Sequence, residues 1–231
     1  QKALSIRKRI NYQRGIATSL NNVGLVYLAM KDYQHALENF QQSYDLKMKL
    51  GMTNSALRSK CNIGTVSIGM KKYSEALKIH TEVLDESRRK GYPGGVALAL
   101  TEIGRSKIAG REYEEAIVSL NEARETYLKI GDYYGVADVG LYFAQLYEQR
   151  NQSKLAIGAL EDALSYAQTA IARGKESEIF LALSDIYEKQ GDIPNAFRYF
   201  KQYSAVNDTL QSEEVIKKFA EIQANVDLTR H

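Results

Sequence analysis

The chain has 231 residues and a formal net charge of +3. That is too even a balance to suggest a nucleic-acid binder from charge, and enough chain for one or two globular domains or one extended array. A hydrophobic content of 44% with two prolines excludes a low-complexity or disordered chain, and one cysteine excludes an intramolecular disulfide framework. No apolar run nears the roughly 20 residues that span a bilayer, and no signal peptide is present. The first stretch, "QKALSIRKRI", is already helical in pattern and does not begin on methionine. The expectation is a piece of a longer protein in which residues 1–12 are the second helix of a truncated repeat.

Residues 15–30 place Leu20, Val23 and Tyr27 on one face at helical spacing. Residues 33–50 do the same with Ala36, Leu37, Phe40 and Tyr44. The short "MKDY" between them is a turn, so the segment reads as a helical hairpin. Gly24 lies inside the first helix, where glycine costs about 1 kcal/mol relative to alanine. Forty residues on stands Gly64, and forty further Gly104; the same step then reaches Ala144 and Ser184. Twelve residues after each comes an alanine, at Ala36, Ala76, Ala116, Ala156 and Ala196, and four later Phe40, His80, Leu120, Leu160 and Phe200. Five copies in register, about 15–52, 55–92, 94–132, 134–173 and 175–210, define a 40-residue repeat. Such hairpins stack in a row, each burying its apolar face on its neighbours. Small residues at Gly24 and Ala36 are expected to let the paired backbones approach closely, offsetting the cost of the glycine.

The inter-repeat turns "KLGMTN", "RKGYPGG" and "KIGDYYG" carry glycine. In the fifth copy Asp192 caps the second helix, and Pro194 falls in its first turn, where a missing N–H costs nothing. After "YSAVNDTLQ" the period fails. Residues 211–228 are expected to form a different helix, with Val215, Phe219, Ile222 and Val226 as a short a/d seam. Residues 211–231 then either cap the array or lead out of it as a coiled coil.

The series Leu20-Val23-Gly24-Tyr27-Ala36-Phe40-Ser43 resembles the tetratricopeptide repeat (TPR), as does Phe143-Ala144-Tyr147-Ala156-Leu160-Ala163 in the fourth copy. The resemblance covers nearly the whole chain. It implies an all-α, right-handed α-solenoid of TPR-like helical hairpins, with helices about a turn longer than the family's roughly 34-residue unit gives. Glycine turns replace the family's closing proline. Long repeats of this kind look like those of bacterial peptide receptors, kinesin light chain and spindle-orientation adaptors. The fifth copy and the C-terminal segment after it resemble the exit region of bacterial TPR sensor proteins. The matching residues are Leu210, Glu213 or Glu214, Lys217 or Lys218, Glu221 and Gln223. That likeness implies the sensory part of a signalling or two-component protein whose output is a histidine kinase, a diguanylate cyclase or a helix-turn-helix domain.

Catalytic and metal chemistry find no constellation. There is no HExxH, no G-x-S-x-G, no phosphate loop and no dinucleotide fingerprint. His35 should face solvent or the turn, and His80 replaces an aromatic core position. Cys61 falls on an inner helix face with no histidine near it in sequence. "GYPGG" (91–95) joins two helices. No enzyme activity, metal or cofactor is expected.

What remains is the concave side that the first helix of each hairpin lines in the family. Its pattern selects Thr18, Asn21, Asn22 and Leu25; then Arg58, Cys61, Asn62 and Thr65; then Leu98, Thr101, Glu102 and Arg105. Asp138, Leu141, Tyr142 and Gln145 come next, then Glu178, Leu181 and Asp185. Asn22 and Asn62 stand where long-repeat members use asparagine on a peptide backbone, since an amide both donates and accepts. The alternative is that they bond to neighbouring repeats. The chief candidates are Asn22, Asn62, Arg58, Arg105, Glu102 and Gln145. Arg58 and Arg105 make the N-terminal half basic, while Asp138, Glu178 and Asp185 make the C-terminal half acidic, a gradient that could orient a ligand. The expected partner is a protein or peptide in this groove, with no nucleic acid and no membrane segment. The piece should be mainly monomeric, though it could pair across a dimer in the parent protein. The compartment depends on the role: periplasmic for a sensor, cytoplasmic for a stand-alone adaptor or peptide receptor.

Overall fold

The computed structural model describes the backbone of residues 2–228 and the side chains of residues 10 and 12–212. Ten helices account for the fold among the described residues. They are α1 (Lys2–Ala29), α2 (Tyr33–Lys49), α3 (Thr53–Gly69), α4 (Tyr73–Arg89), α5 (Pro93–Ala109), α6 (Tyr113–Ile130), α7 (Tyr133–Gln149), α8 (Ser153–Thr169), α9 (Arg173–Lys189) and α10 (Ile193–Leu228). The fold is all-α, a solenoid of TPR-like hairpins. It divides into two compact units, residues 1–131 and 132–231.

One local rule punctuates the chain. Every twenty residues a single residue takes positive φ: Lys31, Gly51, Lys71, Gly91, Arg111, Gly131, Asn151, Ile171 and Gly191. At most of these turns the next amide reaches back to the last helical turn, as Asp32 N–H does to the Tyr27 carbonyl (2.9 Å) and Lys72 N–H to that of Ser67 (2.8 Å). This is the Schellman closure, which satisfies helix-end carbonyls. The interior helices are therefore 17 or 18 residues long. Asp32, Asp132 and Asp192 each accept from the backbone N–H three residues on, capping α2, α7 and α10.

Two expectations change. Of the segment 1–12, residues 2–12 do not form a separate helix; α1 runs through them without a turn. Residues 211–228 are likewise no new element, since α10 continues unbroken to Leu228. The seam side chains Val215, Phe219, Ile222 and Val226 lie outside the described side chains.

The core follows the repeat. Ala36, Ala76, Ala116 and Ala156 are fully buried, and Ala196 nearly so. The glycine first of all makes room for a side chain. A Cβ at Gly24 would stand 2.6 Å from the Phe40 ring, one at Gly104 would stand 2.7 Å from Leu120, and one at Gly64 would collide with the His80 imidazole. The missing side chain is the socket for the residue sixteen further on. In unit 2 that residue is Leu160, which is fully buried with Ala144 opposite it in the same cluster. Ser184 turns its small size to another use: its hydroxyl donates to the Ala196 carbonyl at 2.9 Å.

Candidate functional site

In unit 1 the odd-numbered helices α1, α3 and α5 lie side by side. Their shared face presents Asn22 and Arg58 to solvent, with Asn62, Leu98 and Arg105 half-buried. Of the two alternatives for Asn62, the structure shows the bond between repeats: its Nδ2 donates to Asn21 Oδ1 at 3.1 Å. Glu102 is buried and accepts from Thr65 Oγ1 (2.9 Å), with Arg105 Nη1 3.4 Å away. Cys61 and Thr101, expected in the lining, are 1% exposed and belong to the core. Burial above all, and Glu102 nearby, push the Cys61 thiol well up, which makes it a poor nucleophile.

Behind this face runs a polar seam that the repeat pattern does not reveal. Lys47 is buried, and its ammonium donates to Ser59 Oγ at 2.8 Å. Ser59 Oγ in turn donates to Asn21 Oδ1 (2.9 Å), and Ser43 Oγ donates to the Ala17 carbonyl (2.6 Å). Burial, with the Arg58 charge added, holds the Lys47 pKa below the ordinary lysine value. A signal is nonetheless present in the sequence. Positions 47, 87, 127 and 167 are Lys, Ser, Tyr and Ala, and all four are buried. A lone cation in such a column marks a buried charge.

In unit 2, α7 and α9 frame a cleft of about 170 Å³. Its floor is Ala144, Leu160 and Ile186, its walls are Leu141 and Ala182, and its rim is Gln145, Asp185 and the Glu148–Lys189 ion pair at 3.2 Å. Gln145, Leu141 and Asp185 are therefore brought together in one cleft. At one end of the same face, Lys175 bridges Asp138 (2.7 Å) and Glu178 (2.8 Å) and lies 5.5 Å from the centre of the Tyr134 ring. Burial opposes the charge on Lys175, and the two carboxylates outweigh it, so its pKa is raised.

These pairs revise the charge gradient. Asp138 and Glu178 are held by Lys175, and Arg105 stands beside Glu102. Most of the expected difference in sign is neutralised within each unit. The exposed charges left on the two faces are chiefly Arg58 in unit 1 and Asp185 in unit 2. Among the described residues no group of three or more His, Cys, Asp or Glu side chains is arranged to hold a metal, and no helix is long and apolar enough to cross a membrane.

Residues 1–49 match the family model of the tetratricopeptide repeat. No curated protein matches the chain. Among solved structures, the apo form of RapI aligns over 86% of this chain and 85% of its own, at 13% identity and a TM-score of 0.58. BtubC (BKLC) from P. vanneervenii aligns over 87% and 92%, at 18% identity and 0.59. A kinesin light chain from Podosopora anserina with nearly identical TPR-like repeats aligns over 84% and 96%, at 16% identity and 0.56. At such identities the likeness is one of fold.

Proposed function

We propose that this chain is a peptide- or protein-binding TPR scaffold whose principal contact is the α7–α9 cleft of unit 2. The observation that carries the reading is the size and make-up of that cleft. Small-molecule sites run to about 300–1,000 Å³, whereas 170 Å³ suits a single side chain. Apolar walls at Leu141 and Ala182 and an exposed carboxylate at Asp185 suit an aliphatic stem with a cationic head. The ligand is therefore an extended peptide that inserts a lysine or arginine, with Gln145 on its backbone. Asn22 and Arg58 offer a second, weaker contact on unit 1, with Asn62, Glu102 and Arg105 shaping that face. In this reading the chain works as an interaction or sensory module of a larger bacterial signalling protein, on the likeness of its last repeat and the C-terminal segment after it to TPR sensors. A stand-alone adaptor would use the same cleft.

Selection from a random peptide library displayed on phage tests the cleft. Enriched peptides should share a lysine or arginine, and Asp185→Ala together with Gln145→Ala should weaken them at least tenfold. That loss is about 1.4 kcal/mol, in the range of one or two hydrogen bonds, one of them to a charged group. Enriched peptides that bind wild type and variant equally would move the ligand off this surface.

A further inference from the structure

Unit 1 bridges the seams between its odd-numbered helices with its own side chains. Between α1 and α3, Asn62 reaches across to Asn21, its Nδ2 donating to Oδ1 at 3.1 Å. Between α3 and α5, Glu102 reaches across to Thr65 and accepts from its Oγ1 at 2.9 Å, with Arg105 Nη1 3.4 Å from the same carboxylate oxygen. Asn62 and Glu102 hold one position of the forty-residue repeat, and on α9 that position is Ala182. Its other copies are Asn22 and Tyr142, so α9 alone has a side chain too short to reach a neighbour. The groups met in unit 1 have counterparts at the α7–α9 seam: Leu141 for Asn21, Gln145 for Thr65 and Asp185 for Arg105. These three and Ala182 all line the cleft of about 170 Å³. A methyl group has no polar atom to offer Gln145, so the seat that a polar side chain takes in unit 1 is open in unit 2.

We infer that Ala182 is the residue that makes the α7–α9 seam a binding site, and that a cationic side chain of a bound peptide takes the seat that Glu102 fills in the α3–α5 seam. The inference rests on the cleft reading above and adds to it the residue that keeps the cleft open. The sign of the occupant follows from its neighbours. In unit 1 a carboxylate sits between a hydroxyl donor and a guanidinium. In unit 2 the corresponding neighbours are the Gln145 amide and the Asp185 carboxylate, so the favoured charge is reversed. Both can accept, Gln145 through its amide oxygen, and an ammonium or guanidinium has donors for each. A basic side chain at position 182 would close the cleft from within. Ala182 stands three residues before Asp185, as Glu102 does before Arg105, a spacing that brings two side chains of one helix together. Such a side chain would compete with any peptide for the seat.

Ala182→Arg tests this, with Ala182→Ser as a control that leaves the cleft open. The probes are synthetic copies of phage-selected peptides that lose at least tenfold on Asp185→Ala together with Gln145→Ala. By fluorescence anisotropy, Ala182→Arg should bind them at least tenfold more weakly than wild type, and Ala182→Ser within about twofold of it. Melting temperature reads the seat without a peptide: Asp185→Ala should lower it more in the Ala182→Arg background than in wild type. Ala182→Lys repeats the design should Ala182→Arg lose its helical circular dichroism. Peptides that depend on Asp185 and Gln145 yet bind Ala182→Arg as tightly as wild type would overturn the inference and leave the cleft reading standing. Weakened binding without the extra loss in melting temperature would overturn it too, since the new side chain would then block the cleft without taking the seat. A selection that yields no peptide dependent on Asp185 and Gln145 would remove the cleft reading, and the inference with it.

Discussion

His80 shows how a single position in the repeat can hold chemistry the fold does not need. It sits where Phe40 and Leu120 sit, fully buried, in the socket left by Gly64. The missing Cβ at residue 64 exposes a helix carbonyl as well as space. His80 Nε2 donates to the Cys61 carbonyl at 3.1 Å, and Ser106 Oγ lies 3.5 Å from Nδ1. Burial lowers the His80 pKa below its ordinary value, only partly offset by Glu102. The imidazole therefore folds neutral. Above about pH 6.5 it is neutral in both states and costs nothing. As pH falls below that, the unfolded chain takes up the proton first, and stability drops until the folded value is reached. The expected loss from this one group is up to about 1 kcal/mol between pH 7 and pH 5.5. His80→Leu, which copies Leu120, should remove that share. Urea unfolding at the two pH values checks it: the difference between wild type and variant should narrow or change sign on acidification. A constant difference would mean the imidazole titrates alike in both states.

At the scale of the element, the hairpins were legible and the turns only half so. A 40-residue period with small residues at fixed offsets fixes which helices pair, because each position recurs in the same surroundings. It identified Gly51, Gly91 and Gly131, where glycine advertises a left-handed residue, but not Lys71, Arg111 or Ile171, which take the same conformation without glycine. The continuity of α1 was hidden for a related reason: Asn11 stands in register with Gly51, yet the helix runs through it. The site was read less well than the fold. Helical spacing tells which residues of one helix share a face, and Gln145 and Asp185 line one cleft. It does not tell what the neighbouring helix offers, so a bond from Asn62 to the neighbouring repeat stands only as one of two alternatives, and the burial of Lys47 is not legible from it. Ile171 gives the turns a test. A β-branched residue at φ 54° is strained, by roughly 1–2 kcal/mol. Its side chain is 79% exposed, so little contact would be lost with it. Ile171→Gly relieves the strain at an entropic cost of about 0.5–1 kcal/mol. The net expectation is a gain of about 0.5–1 kcal/mol, read as a higher melting temperature. A lower one would show that the side chain is held by contacts that outweigh the turn.

For the molecule as a whole, stability in a stacked array is a sum of hairpin terms and nearest-neighbour terms. Where the chain is cut should then matter more than how much of it is kept. Gly131 ends unit 1, an exposed left-handed residue between α6 and α7. A cut there breaks no helix and no hairpin. Each side retains its own core: Ala36, Phe40 and Val66 in unit 1, and Leu160, Ile179, Leu183 and their neighbours in unit 2. Arg111 marks a turn of the same geometry, but it lies inside the α5–α6 hairpin, where Gly104 seats Leu120. Fully burying a leucine is worth roughly 1.5–3 kcal/mol, and a cut at Arg111 strips that burial from Leu120 in one piece and empties the Gly104 socket in the other. The pieces 1–131 and 132–231 should therefore each show full helical circular dichroism and a cooperative thermal transition. In the pair 1–111 and 112–231, α5 loses its partner from one piece and α6 from the other, so both should melt earlier and less steeply. Equal melting of the two pairs would show that the hairpin is not the unit of cooperation in this chain.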